Sequence, residues 1–303
     1  MAKVLVQLYE PRCHLSCWVT PLFLYLCIMH QIENEFLKVR VREYGAELTS
    51  VFNKKTNTEQ LWQADEAYWP WHAPVLFPTV GRSINDEIVV DGVAYPMEKH
   101  GFARKSNFKL LERSETKMVF QLTHSADTLK LYPYKFEFLI GYRLKENELV
   151  VSYEVCNTDD KPIYFQLGGH PAFAVPFTAG ESYSDYYLQF EQTENSARHY
   201  IDGDGFFDGR TETVLDNSSH INLHPQLFKD DALIFKDLKS RVVSIRSRQH
   251  ASTLTVDFNG FNYLGLWAKV DAPYVCIEPW LGCAGTAGKQ VEFAQREGII
   301  SLE

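Results

Sequence analysis

The chain has 303 residues, 45% hydrophobic and 23% charged, which permits a sizeable core and excludes a globally disordered polypeptide. A net charge of −9 disfavours nucleic acid or an anionic membrane as partner, and leaves a neutral small molecule as the expected ligand. A phosphorylated ligand would need a local basic pocket against that field. Aromatic residues reach 14%, a surplus that suits the pleated face of strands and also supplies ring faces on which a sugar can stack.

The first segment differs from the rest. Trp18–Met29 is an apolar run preceded by Lys3 and Arg12, too short for a membrane span and followed by no small-residue cleavage site. Residues 1–31 are therefore expected to be an extension, either weakly signal-like or the product of an upstream start codon with Met29 as the working start. A single domain is expected over 32–303. Cys13, Cys17 and Cys27 fall in the extension, and no second pair matches the Cys13–Cys17 spacing, so no zinc site is expected there. Cys156, Cys276 and Cys283 read as reduced thiols of a cytoplasmic protein.

From Phe36 onward the period is two. Glu87–Val90 and Val93–Tyr95 flank Asp91-Gly92, a two-residue hairpin signal. Phe136, Phe138, Ile140, Tyr142 and Leu144 alternate with polar residues, then Lys145-Glu146-Asn147 turns into a second alternating run, Leu149, Val151, Tyr153 and Val155. A strand-like run follows at Ile163–Leu167, a single helical turn at Leu227–Asp230, a strand at Leu254, Val256 and Phe258 closed by Asn259-Gly260, and an apolar strand at Tyr274–Ile277. Many short strands and scarce helical periodicity predict an all-β fold, a large antiparallel β-sandwich with few short helices. There is no Gly-rich phosphate loop, dinucleotide fingerprint or fixed-period repeat. Gly298–Glu303 reads as a strand.

Four segments set titratable groups beside turn-forming or rigid residues: Pro78–Arg82, His100–Arg104, Gly168–Phe173 and Glu278-Pro279-Trp280. Each alone has an ordinary structural reading. Together, on loops at strand ends, they offer one acid, one base and several donors. Other chemistries lack their signatures: no G-x-S-x-G elbow is present, Cys283 has no activating pattern, and His72 and His124 have no ligand-like spacing.

The pieces FPTVGR (77–82), HGFAR (100–104), GGHPAF (168–173), DALIF (231–235) and CIEPW (276–280), in this order, resemble the aldose 1-epimerase (mutarotase) family, and most closely its LacX-like branch. The resemblance runs from about Ile32 to the C-terminus. It implies a galactose mutarotase-like supersandwich and the interconversion of α and β anomers of a hexose, with no cofactor or metal. A further strand is implied after Gly298–Glu303, so the domain is expected either to lack its final strand, which would leave a sheet edge open, or to continue beyond Glu303. It implies Glu278 as general base and His170 as general acid, with Arg82, His100 and Asp231 binding the sugar. Trp280, beside Glu278, joins the substrate-binding set. HGFAR also resembles the hexose-6-phosphate mutarotase branch, which turns Arg104 toward a phosphate. A catalytically silent carbohydrate-binding module on the same scaffold is the third reading. Acid–base ring opening suggests a carboxylate and an imidazolium on opposite sides of the sugar, both poised near neutral, with Arg82 offsetting the charge of Glu278. The expected partner is a sugar only, and the expected assembly a monomer or homodimer.

Overall fold

Alternation builds the sheet. In the Phe136–Lys145 strand every second side chain from Phe136 to Leu144 is buried. This strand pairs antiparallel with Glu148–Asn157 along its whole length, through a turn in which Glu146 takes a φ of +51°. The Asp91-Gly92 hairpin forms as expected, with both residues at positive φ (52° and 77°), as a two-residue turn between right-twisted strands demands.

The structure, a computed structural model, describes residues 2–8 and 28–303. About half of it is strand, and a curled, mostly antiparallel sheet of 15 strands holds most of them. A four-stranded sheet, from Met29–Glu33 to Thr58–Glu59, packs against it. Ile32, Val39, Val41 and Leu48 of the small sheet share one apolar core with Phe120, Phe138 and Tyr142 of the large one. The described helices are short 3-10 turns such as Ala103–Lys105, and none is long and apolar enough to cross a membrane.

The two chain ends behave unlike the interior. Ala2–Leu8 is a strand of the large sheet, lying parallel between Glu148–Asn157 and Thr253–Asp257. The apolar run Trp18–Met29 lies outside the described residues except for Ile28 and Met29. Met29 opens the small sheet, ahead of the expected domain start at residue 32. At the other end Ile300–Leu302 pairs antiparallel with Ile163–Phe165.

One strand governs the interior. Tyr274–Leu281 is buried at every residue and runs further than its apolar segment predicts. Its continuation through Pro279 has a simple cause. Ile277 N–H donates to Pro171 O, so the nitrogen of Pro279, two residues on, faces the same side. There the neighbouring Leu167–Gly169 strand ends, and no donor is needed.

The first two motif segments lock together. His100 N donates to Gly81 O at 2.9 Å, Gly81 N to His100 Nδ1 at 3.1 Å, and Ala103 N to Phe77 O at 3.1 Å. Gln166, fully buried, accepts from Val80 N and donates to Cys283 O and Glu297 O, tying this pair of loops to the C-terminal segment. Gly101 sits where they touch, at a φ of +72°, and a Cβ there would stand 2.2 Å from Phe77 O. Gly101→Ala is expected to destabilise the protein by more than the ~1–2 kcal/mol of the left-handed conformation alone. Urea unfolding of the two proteins checks this, and equal midpoints would mean that the loops are not locked.

Candidate active site

Register brings the site together. On the strands flanking the Gly169–Ala172 break, Gly168 pairs with Trp280 and Ala172 with Cys276. Stepping inward from both pairs, His170 comes opposite Glu278. The His170 Nε2 stands 3.2 Å from Glu278 Oε2, with side-chain exposures of only 11% and 2%. Trp69 stacks on the imidazole at 4.7 Å and Trp267 meets it edge-on at 5.9 Å. His170 N donates to Pro74 O, which fixes the backbone beneath the ring. On the opposite edge of the strand, Gly265 pairs with Glu278 and lets the Trp280 indole lie across it, since a Cβ there would be 2.6 Å from the ring.

His100 is the second imidazole, 5.9 Å from His170 centre to centre. Its Nδ1 accepts the Gly81 amide, so the neutral ring carries its proton on Nε2. Burial, helped by Lys99, holds its pKa well below the usual histidine range. His100 is thus a neutral donor.

A cavity of about 210 Å³ opens on these groups. His170, Glu278, His100, Arg104, Asp231 and Trp280 all line it, so six of the seven expected side chains meet there. Arg82 does not. It lines an adjoining cavity of about 750 Å³, which shares Lys99, Gly205 and Asp231 with the first. Its guanidinium is engaged there by both carboxylate oxygens of Asp86, at 2.7 and 2.8 Å, and by Asp204 O.

Lys99 stands where the sequence suggested Arg82. It lines both cavities, its ammonium forms no hydrogen bond or ion pair among the described residues, and it is the leading charge favouring ionised Glu278. Arg104 donates to Lys99 O at 2.8 Å and lies over Trp71, whose ring also faces Arg42. Arg42 in turn pairs with buried Glu47, whose other oxygen accepts His72 N and Ala73 N at 2.8 and 3.0 Å. This chain of contacts holds the Trp69–Ala73 segment against the site. Sequence reasoning missed Lys99, Trp69 and Trp267. The available signals were a lysine next to His100 and the aromatic surplus around Trp69 and Trp71.

The electrostatics depart from the expected imidazolium–carboxylate pair poised near neutral. Burial pushes His170 down to about 3 and Glu278 well above the ordinary carboxylate range. Removal from water penalises whichever form is charged, and no cation as close as the imidazole reaches the carboxyl. Burial therefore disfavours the charged form of both partners, the imidazolium of His170 and the carboxylate of Glu278. Cys276, two residues before Glu278 on the same strand face, is also fully buried, and burial raises its thiol well above the usual range. Donor atoms of His170, Cys276 and Glu278 lie within 4.8 Å of one another.

Comparison with known proteins identifies the family and the fold. A sequence model of the family described as Aldose 1-epimerase matches residues 29–290. The chain is 36% identical over 261 residues to the plasmid-encoded Protein LacX of Lactococcus lactis subsp. lactis, covering 83% of this chain and 87% of that protein. It is similar to the X-ray structure of a galactose mutarotase related enzyme from Lactobacillus acidophilus, with a TM-score of 0.86, 34% identity, and coverage of 91% and 93% of the two chains. A galactose mutarotase-like protein from Lactobacillus casei gives a TM-score of 0.85 at 33% identity, covering 91% and 95%.

The depressed histidines set a pH signature. An unfolded histidine takes up its proton near pH 6.5, whereas His170 waits until about 3. The stability this difference contributes is complete above pH 6.5 and is lost as the pH falls toward 3. The ring resonances of His170 and His100 in a histidine-labelled NMR titration are expected to stay at their neutral positions from about pH 8 to pH 5. Movement of either with a midpoint near 6.5 would contradict the neutral site.

Proposed function

The chain belongs to the aldose 1-epimerase family, and from that premise we propose that it interconverts the α and β anomers of a hexose by acid–base ring opening. The observation that carries this reading is the buried His170–Glu278 pair, 3.2 Å apart on the wall of a cavity that also receives the His100 donor.

The chemistry needs one proton taken from the anomeric hydroxyl and one given to the ring oxygen. In the proposed step Glu278, as carboxylate, takes the first while His170, as imidazolium, gives the second. The C1–O5 bond then breaks to leave the open-chain aldehyde. The pair begins with one proton on histidine and ends with one on the carboxyl, so its total is unchanged. Its final state is the neutral form that burial favours, which lowers the cost of the ring-opened intermediate. Rotation about C1–C2 and the reverse transfers close the other anomer. The 3.2 Å contact allows the proton to pass directly between the two groups when no sugar intervenes.

Glu278→Gln keeps the shape and removes the proton acceptor. It should lower kcat by roughly 10²–10⁴ while sugar still binds, and His170→Asn should cost most of the rate as well. Saturation-exchange NMR on fresh α-glucose and α-galactose measures both. If wild-type exchange equals buffer for every hexose and hexose phosphate tried, while calorimetry finds tight sugar binding, the protein is a silent binding module instead.

A second reading, a hexose-6-phosphate mutarotase, draws on Lys99 and Arg104 lining the same cavity. Arg104→Ala is then expected to raise KM for the 6-phosphate and leave KM for the free sugar unchanged. An unaltered KM for both removes that reading.

A further inference from the structure

The proposed reaction leaves Cys276 unused, although its thiol lies against the two groups that would perform the chemistry. We propose that His170, Cys276 and Glu278 form a binding site for a soft divalent transition-metal ion of the zinc class, and that such an ion inhibits the enzyme by taking the atoms the reaction uses. The inhibition rests on the reading above; the metal site does not.

The argument is geometric and chemical. Three unlike donors, an imidazole nitrogen, a sulfur and a carboxylate oxygen, already lie within 4.8 Å of one another. Zinc bonds nitrogen and oxygen at about 2.0–2.2 Å and sulfur at about 2.3 Å, so tetrahedral donors stand roughly 3.3–3.8 Å apart. The His170–Glu278 separation of 3.2 Å lies just short of that spacing, so the two need only a slight opening to share an ion. Only the sulfur must close in, and a rotation of the Cys276 side chain moves it on that scale. The set resembles the mixed N, S, O ligation that suits zinc or cobalt, and a hard cation would not choose it. His170 and Glu278 line the cavity, which gives the ion a route in and leaves its fourth position for water.

On binding, the thiol and the carboxylic acid lose their protons to solvent as sulfur–metal and oxygen–metal bonds form. No electron changes hands. The two buried negative charges so created are matched by the ion, which removes the reason those groups stay protonated. The acid–base pair is then fixed on the metal and cannot move a proton to or from a sugar.

Cobalt(II) is the probe for the site, since a thiolate ligand gives it an intense near-ultraviolet charge-transfer band and a tetrahedral field gives it visible bands. The full-length protein, reduced and free of metal, is titrated with cobalt chloride, as are Cys276→Ala and Cys283→Ala. The proposal expects both sets of bands in wild type and Cys283→Ala, and their loss in Cys276→Ala. Zinc chloride is then added during sugar exchange. Cys276→Ala should keep its basal exchange rate and lose zinc sensitivity by at least the roughly 10–100-fold that even an outer ligand partner's removal costs. A chelator should restore the wild-type rate. Cobalt bands that persist in Cys276→Ala, or that never appear in wild type, overturn the site. Bands with the right dependence but no exchange on any sugar would keep the site and sink the proposed reaction.

Discussion

Two ionisable side chains face each other across strands from which water is excluded. A lone carboxylate in such a place costs several kcal/mol, and so does a lone imidazolium. At 3.2 Å the pair has two affordable states, both neutral as a unit: imidazole with carboxylic acid, or imidazolium with carboxylate. Every nearby group acts by tilting the balance between them. Lys99 favours ionised Glu278 and Asp231 opposes it. Lys99 also penalises a charged His170. The net result is a site in which burial favours the uncharged form of both groups.

A balance this fine needs fixed geometry. Strand register sets the spacing of His170 and Glu278 with no loop flexibility in between, because Gly168–Trp280 and Ala172–Cys276 clamp both ends. The imidazole is held from above by Trp69, and that tryptophan belongs to a segment whose amides are gripped by Glu47. Glu47 can itself be buried because Arg42 answers its charge, and Arg42 shares the Trp71 ring with Arg104 on the cavity wall. The small sheet thus does more than cover the core. It supplies Arg42 and Glu47, and through them it positions an aromatic wall and a cation of the site.

Local sequence carried the strands and the motif loops, because alternation and Gly, Pro, Asn or Asp turns are short-range properties. The alternation at Phe136–Leu144 and the Asp91-Gly92 hairpin read directly. Six of seven expected site residues meet in one cavity: His100, Arg104, His170 and Asp231 lie on strand ends or tight turns that their own segments specify, and Glu278 and Trp280 share one strand. The misplaced one, Arg82, is a question of side-chain partners. Asp86, four residues on, captures the guanidinium, and whether an arginine reaches a ligand or a neighbour is decided after the loops have closed. Protonation was illegible for the same reason, since it follows from burial contributed by strands far apart in sequence. The Ala2–Leu8 strand was hidden too, because its parallel neighbours come from residues 148–153 and 254–257.

The wall composition fits the demands of an anomeric exchange. For C1 to turn, one end of the open-chain sugar must be gripped while the other moves. The cavity offers directional donors: His100 has its tautomer fixed by the Gly81 amide, and Arg104 has its fork fixed by Trp71 and Lys99 O. Around His170 the walls are instead Trp69 and Trp267, whose rings hold by area and exclude water without prescribing an angle. A site polar on all sides would bind one anomer well and trap it. Donors and flat apolar rings thus both border His170, with His100 and Trp267 each 5.9 Å from its ring. In the proposed reaction the neutral form of the pair stands at the ring-opened intermediate, from which either anomer can close.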